Sequence, residues 1–181
     1  YAYDTPLDKT LEAMWSTDVD LWGEVKASVS GMARAAQKSM QPSEEWVARD
    51  LWDGVEFGKF YYRCTKGKNG IPLVFLFYYD GLEVVNGLGQ ARITHELGCF
   101  YWALVNLNQV HRLSRKNIRM ATICYKRAIT ICGMDTVVDG DYAEGESPSW
   151  GGWMRLLDQR LELKTPDGLQ SFVGGTALIA A

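Results

Sequence analysis

The chain has 181 residues, 47% hydrophobic and 23% charged, with 5 Pro and 18 Gly. That is enough apolar material for one good-sized core, and the composition excludes disordered, collagenous and low-complexity classes. The net charge of −3 argues against a uniformly basic nucleic-acid binder, and no apolar run reaches the ~20 residues of a membrane helix.

Charge is unevenly spread. Residues 57–134 carry 11 bases against 3 acids, residues 1–56 carry 11 acids and 5 bases, and residues 135–181 carry 8 acids and 3 bases. A basic middle of this kind is either a phosphate-facing surface or an ordinary solvated one. Cys64, Cys99, Cys124 and Cys132 stand at no metal-like spacing, and His95 and His111 have no partner at ligand spacing. A zinc site is not expected, and free thiols among apolar neighbours point to a reducing, intracellular compartment. Tyr1 with no leader after it, and an apolar run at Ala177–Ala181 with no turn, read as the ends of a fragment.

In chain order, the first 53 residues read as a helical segment. Thr17-x-x-Asp20 has the form of a capping box, and Leu21, Trp22, Val25, Val29, Met32 and Ala36 follow a helical stripe. Pro42-Ser43 breaks it, and Ser43-Glu44-Glu45-Trp46 opens a short helix to about Leu51. Trp15, Trp22, Trp46 and Trp52 read as core or docking anchors rather than stacking platforms for bases.

From Phe57 the period changes. Lys59–Cys64 is β-like, residues 66–70 (KGKNG) are turn chemistry, and Ile71–Tyr79 is a nearly continuous apolar run suited to a strand buried on both faces. Asp80-Gly81 reads as a turn, with Leu82–Val85 as a short second strand. Leu97–Leu107 is a third apolar run. Ser114 looks like an N-cap for a helix carrying Ile118, Ala121, Thr122, Tyr125 and Ile129 to about Cys132-Gly133. Residues 134–151 read as an acidic loop, Trp153–Lys164 as an amphipathic helix, and Ser171–Ala181 as a strand. Leu73–Tyr79, Phe100–Leu107 and Thr176–Ala180 are expected in one sheet, with Ile71–Tyr79 central.

Two constellations could carry chemistry. Asp80 stands where an apolar strand is expected to end, so the sheet would fix its backbone while its carboxylate reaches solvent or a hard cation such as Mg²⁺. The plainer reading is the first residue of an Asp-Gly turn. Arg112, Arg115, Lys116, Arg119, Lys126 and Arg127 fall within 16 residues that contain no acid, and Arg112, Arg115, Arg119 and Lys126 share one face of the expected helix. Phosphate contacts or simple solvation would each account for that stripe. No P-loop, G-x-G-x-x-G, H-E-x-x-H or G-x-S-x-G string occurs.

The stretch Tyr78-Tyr79-Asp80-Gly81-Leu82-Glu83-Val84-Val85-Asn86-Gly87-Leu88-Gly89, then His95-Glu96-Leu97-Gly98-Cys99-Phe100-Tyr101, running on to Leu107, resembles a phrase of transposon-derived proteins of eukaryotic genomes. Theirs is a YxDxxEVxNPLG strand-turn-strand followed by HKLGxFYxxLxNL. The closing Gly174–Ala181 run resembles their next core strand, which leads into an Asp. The resemblance covers roughly residues 50–181. Here Gly87 replaces the family's Pro, and Glu96 replaces its Lys, an acid where a phosphate contact would want a base.

The resemblance implies a ribonuclease-H-like α/β core of mixed sheet over residues 54–181, with order β-β-β-α-β, following the helical segment 1–53. It implies a Mg²⁺-dependent transposase or nuclease with Asp80 as the first catalytic carboxylate and Glu83 as a further candidate ligand. The second carboxylate would follow Ala181, so residues 1–181 alone would be inactive and hold no Mg²⁺. DNA would be the partner of Arg112, Arg115, Lys116, Arg119 and Lys126, and a transposase would work in the nucleus. The alternative is a non-catalytic structural or interaction subunit that meets other protein subunits through the Trp-rich N-terminal helices.

Overall fold

In a computed structural model, residues 2–41, 47, 50–84, 96–133 and 160–178 are described. The elements are β1 (Ala2–Asp4), α1 (Leu7–Thr17), α2 (Val19–Ser39), a 3₁₀ turn (Leu51–Asp53), α3 (Val55–Thr65), β2 (Ile71–Glu83), β3 (Glu96–Leu104), α4 (Gln109–Arg112), β4 (Arg119–Tyr125), α5 (Lys126–Cys132), β5 (Arg160–Thr165) and β6 (Gly168–Leu178). The described strands form one sheet in the order β1-β4-β3-β2-β6-β5. All neighbours are antiparallel except β2 and β6, which run parallel from Ile71↔Phe172 to Phe77↔Leu178.

The apolar run of β2 sits centrally, as expected, because both its faces are covered. Leu73, Phe75 and Phe77 pack with α1 and with Leu21, Trp22 and Val25 of α2. Val74 and Leu76, on the alternate face, pack with Met32 and Ala36 of α2 and with Phe57 and Tyr61 of α3. The two halves of α2 therefore serve opposite faces of the sheet, and residues 2–39 belong to the same core as the strands. Trp15 and Trp22 are 0% and 1% exposed. Their indoles fill the core against Phe172, so neither is a docking anchor for another subunit. Trp46 lies outside the described residues.

At the base of β2 the ladder is completed by a side chain. Val105 N–H donates to Val74 O (2.8 Å). The buried Asn106 accepts from Val74 N–H (2.9 Å) and donates to Pro72 O (2.9 Å) and Ser28 Oγ (3.0 Å). The amide satisfies backbone groups that β3, turning away after Leu104, leaves open.

Several expectations are corrected. Lys59–Cys64 is helical within α3, not β-like. Phe57 and Tyr61, one turn apart, are buried against α2, and that packing outweighs the strand preference of aromatic side chains. The approach of α3 to α2 is close enough to need Gly58, where an added Cβ would lie 2.2 Å from Ser39 Oγ. Residues 119–125 are a strand, because pairing to β3 on one side and β1 on the other satisfies a backbone with buried Ala121, Thr122 and Cys124. Helix begins only at Lys126, and Ser114 caps none.

Within the expected helix 153–164, residues 160–164 are instead strand, with Leu161 and Leu163 inward and Arg160, Glu162 and Lys164 outward. The earlier residues of that segment lie outside the described ones, as do residues 43–46, 48 and 49 of the expected second helix. Leu51 belongs to the 3₁₀ turn. The expected capping box at Thr17 is absent: Asp18 is the α2 N-cap, while Thr17 Oγ1 turns back to Ala13 O (2.8 Å). β3 ends at Leu104 rather than Leu107.

Candidate functional site

Asp80 is not in a turn. β2 runs unbroken through Asp80 and Gly81 to Glu83, with Asp80 opposite Cys99, Gly81 opposite Gly98 and Glu83 opposite Glu96. Nine consecutive cross-strand pairs from Phe75↔Leu104 hold the Asp-Gly pair extended and override its local turn preference. Of the expected separate strand Leu82–Val85, Leu82 and Glu83 are instead the end of β2, and residues 85–95 lie outside the described ones. The Asp80 side chain is exposed, and its Oδ1 accepts from Gly81 N–H at 2.8 Å. Glu83 is placed by its backbone alone; its side chain is outside the described residues.

The surroundings of Asp80 come from β3. Cys99, directly across, is 1% exposed. Tyr101, two residues along and so on the same side of the sheet, has its phenol pushed above the usual range. Burial is the main cause, followed by the interaction with the Cys99 thiol and then the charge of Asp80. Burial likewise raises Tyr78 and Tyr79, opposed by the charges of Arg112 and Lys126 respectively. On the other side of the sheet, Gly98 leaves room for neighbouring side chains: a Cβ there would lie 2.6 Å from Ile129 Cδ1 and 3.0 Å from the Tyr79 ring. Asp80 therefore projects from a rigid, aromatic-lined end of β2, beside which β6 arrives in parallel, with Leu178 next to Phe77.

The basic residues do not form one helical face. Arg112 ends α4, Arg115 and Lys116 lie in the following turns, Arg119 opens β4 and Lys126 opens α5. Arg112 is 3% exposed. Its guanidinium makes a two-pronged pair with Asp50 (2.7 and 3.0 Å) and donates to Leu107 O (2.9 Å) and Val105 O (3.1 Å). It clamps the 3₁₀ turn to the segment after β3 and is removed from any phosphate-facing set. Lys116 pairs with Asp18 (3.0 Å) and Lys126 with Glu96. The Nε of Arg119 is buried with no hydrogen-bond partner, whereas Arg115 is exposed.

His111 has a partner that sequence spacing did not reveal. Its Nδ1 meets the Glu24 carboxylate, which also accepts from Asn108 Nδ2 (2.6 Å) and Asn108 N–H (3.1 Å). The only sequence signal was polar residues clustered at 106–117, beyond an apolar strand. Among the described residues, no three His, Cys, Asp or Glu side chains gather as a metal-ligand set, and no helix is long and apolar enough to cross a membrane. No protein-family model and no curated protein matches the chain.

Proposed function

We propose that the chain carries part of a ribonuclease-H-like core of a transposase-type enzyme, with Asp80 as one carboxylate of a Mg²⁺ site for cleaving or joining DNA strands. The observation that carries this reading is the parallel β2–β6 pair at the centre of the sheet. β6 reaches Phe77 heading toward the end of β2 that bears Asp80. A carboxylate on each of two adjacent parallel strands, both held by the sheet, is an arrangement that places two hard oxygen donors around cations without reorganisation. The antiparallel run β2-β3-β4 beside β6 supports the same reading, as does the resemblance of residues 76–107 to transposon-derived proteins. In the proteins that the chain resembles, the strand matching β6 leads into an Asp. Glu83 is a further candidate ligand.

Among the basic residues, Arg115, Lys116, Arg119 and Lys126 are the candidates for DNA contact, Lys116 and Lys126 through exposed side chains that also pair with Asp18 and Glu96, whereas Arg112 is buried against Asp50. That internal use of the cations also favours the second reading, a structural or interaction subunit without catalysis. Mn²⁺ titration of the full-length protein, followed by electron paramagnetic resonance, separates the two. Stoichiometric Mn²⁺ binding lost in Asp80→Asn supports the metal site. Equal binding by both proteins, or none by either, leaves the subunit reading.

A further inference from the structure

The described sheet ends on β5, and one hydrogen bond fixes which way that strand's backbone faces. Lys164 N–H donates to Glu12 Oε1 of α1 (3.0 Å), away from β6. In an antiparallel ladder the N–H and C=O of one residue point to the same side, and successive residues alternate. With Lys164 facing outward, Glu162 and Arg160 face outward too, while Leu161, Leu163 and Thr165 face β6 across Phe172, Gln170 and Gly168. Among the described residues, no strand pairs with that outer side. A row of open backbone groups of this kind is a template for another strand.

The strand is complementary to itself. Leu161 and Leu163 are buried, whereas Arg160, Glu162 and Lys164 are exposed, with charges positive, negative and positive. Two copies laid antiparallel about Leu163 set Glu162 of each opposite Lys164 of the other, and both residues carry outward backbone groups. Opposite charges facing each other across a ladder stabilise it. A register centred on Glu162 would instead set Glu162 against Glu162 and Arg160 against Lys164, like charges in both cases. Within its own strand Glu162 meets Arg160 only at 3.9 Å, so its carboxylate is open to a closer cation.

Glu12 occupies one donor that this pairing needs. Its Oε1 holds the Lys164 N–H, and its Oε2 accepts from Lys9 Nζ (3.3 Å), which keeps the carboxylate in place. We propose that the outer edge of β5 pairs with the same edge of a second copy of this chain, through the backbone groups and side-chain charges of Glu162 and Lys164, and that Glu12 competes with the second copy for Lys164 N–H. The inference does not rest on the metal site proposed at Asp80, which lies on β2.

The test is sedimentation equilibrium of the full-length protein and its variants, each melted to confirm that it folds. Glu12→Ala frees the Lys164 N–H, and self-association should tighten about tenfold or more. Adding Glu162→Lys sets like charges opposite and should undo that gain; adding Lys164→Glu as well restores opposite charges and should recover it. Amide hydrogen exchange at Glu162 should slow as the concentration of the Glu12→Ala protein rises. Association of Glu12→Ala no tighter than wild type, association indifferent to Glu162→Lys, or exchange at Glu162 independent of concentration would each overturn the proposal and leave Glu12 as a plain cap on an unused edge.

Discussion

The two ends of β2 belong to one strand but live in different surroundings. From Ile71 to Phe77 the strand has β6 beside it and a helical layer on each face, and Leu73–Phe77 are all at most 4% exposed. From Tyr78 to Glu83 its neighbour among the described residues is β3. Asp80 and Gly81 are exposed there, and Leu82 is 51% exposed. The first half uses its side chains to hold the fold. The second half inherits that rigidity and presents a carboxylate at almost no cost to the core. A site whose backbone is fixed elsewhere can be altered chemically without unfolding the protein, and this separation is what the mutations below probe.

The largest effect is expected in the buried half. Phe75→Ala removes a fully buried ring that meets Trp102 edge-on at 5.5 Å. It should cost about 4 kcal/mol in denaturant unfolding. Asn106→Ala leaves Val74 N–H and Pro72 O without their partner in a closed interior, and a loss of about 3 kcal/mol is expected. Were Asn106→Ala neutral, the amide would not be completing the ladder.

In the exposed half, Asp80→Asn should change unfolding free energy by less than about 0.5 kcal/mol. Away from β2, the smallest effect concerns acid. Asp167 is held below the usual carboxylate range by Lys26 first and then by the Trp22 N–H, and Asp18 by Lys116 first. A depressed folded pKa gives stability that is present above the unfolded value and lost as pH falls through the folded one. Thermal melting should therefore be flat from pH 7 to about 5 and fall below about 4. Asp167→Asn should make that fall shallower.

How much of this was legible in the sequence follows from what each segment's pattern depends on. The run Ile71–Tyr79 announced a central strand because burial on both faces leaves no polar positions to confuse the period. The stripe from Leu21 to Ala36 announced α2, although not that its two halves serve opposite sheet faces. Phe57–Cys64 and Met120–Tyr125 misled because short segments rich in aromatic or β-branched residues fit either period, and only the packing partner decides. Arg112 looked like part of a cationic stripe because nothing local marks Asp50, 62 residues earlier in the chain, as its partner. Asp80 was legible as a residue of interest, but its Asp-Gly neighbourhood suggested a turn that nine cross-strand pairs overrule.

The separation between a structural half and a chemical half of β2 is tested most directly by Mn²⁺- or Mg²⁺-dependent DNA nicking with full-length wild type and Asp80→Asn, each melted in the same buffer. The account predicts that the wild type cuts and that the mutant loses about a hundredfold or more of that rate with its melting temperature unchanged. A mutant that cuts as fast as wild type, or a wild type inert with both metals, would contradict it.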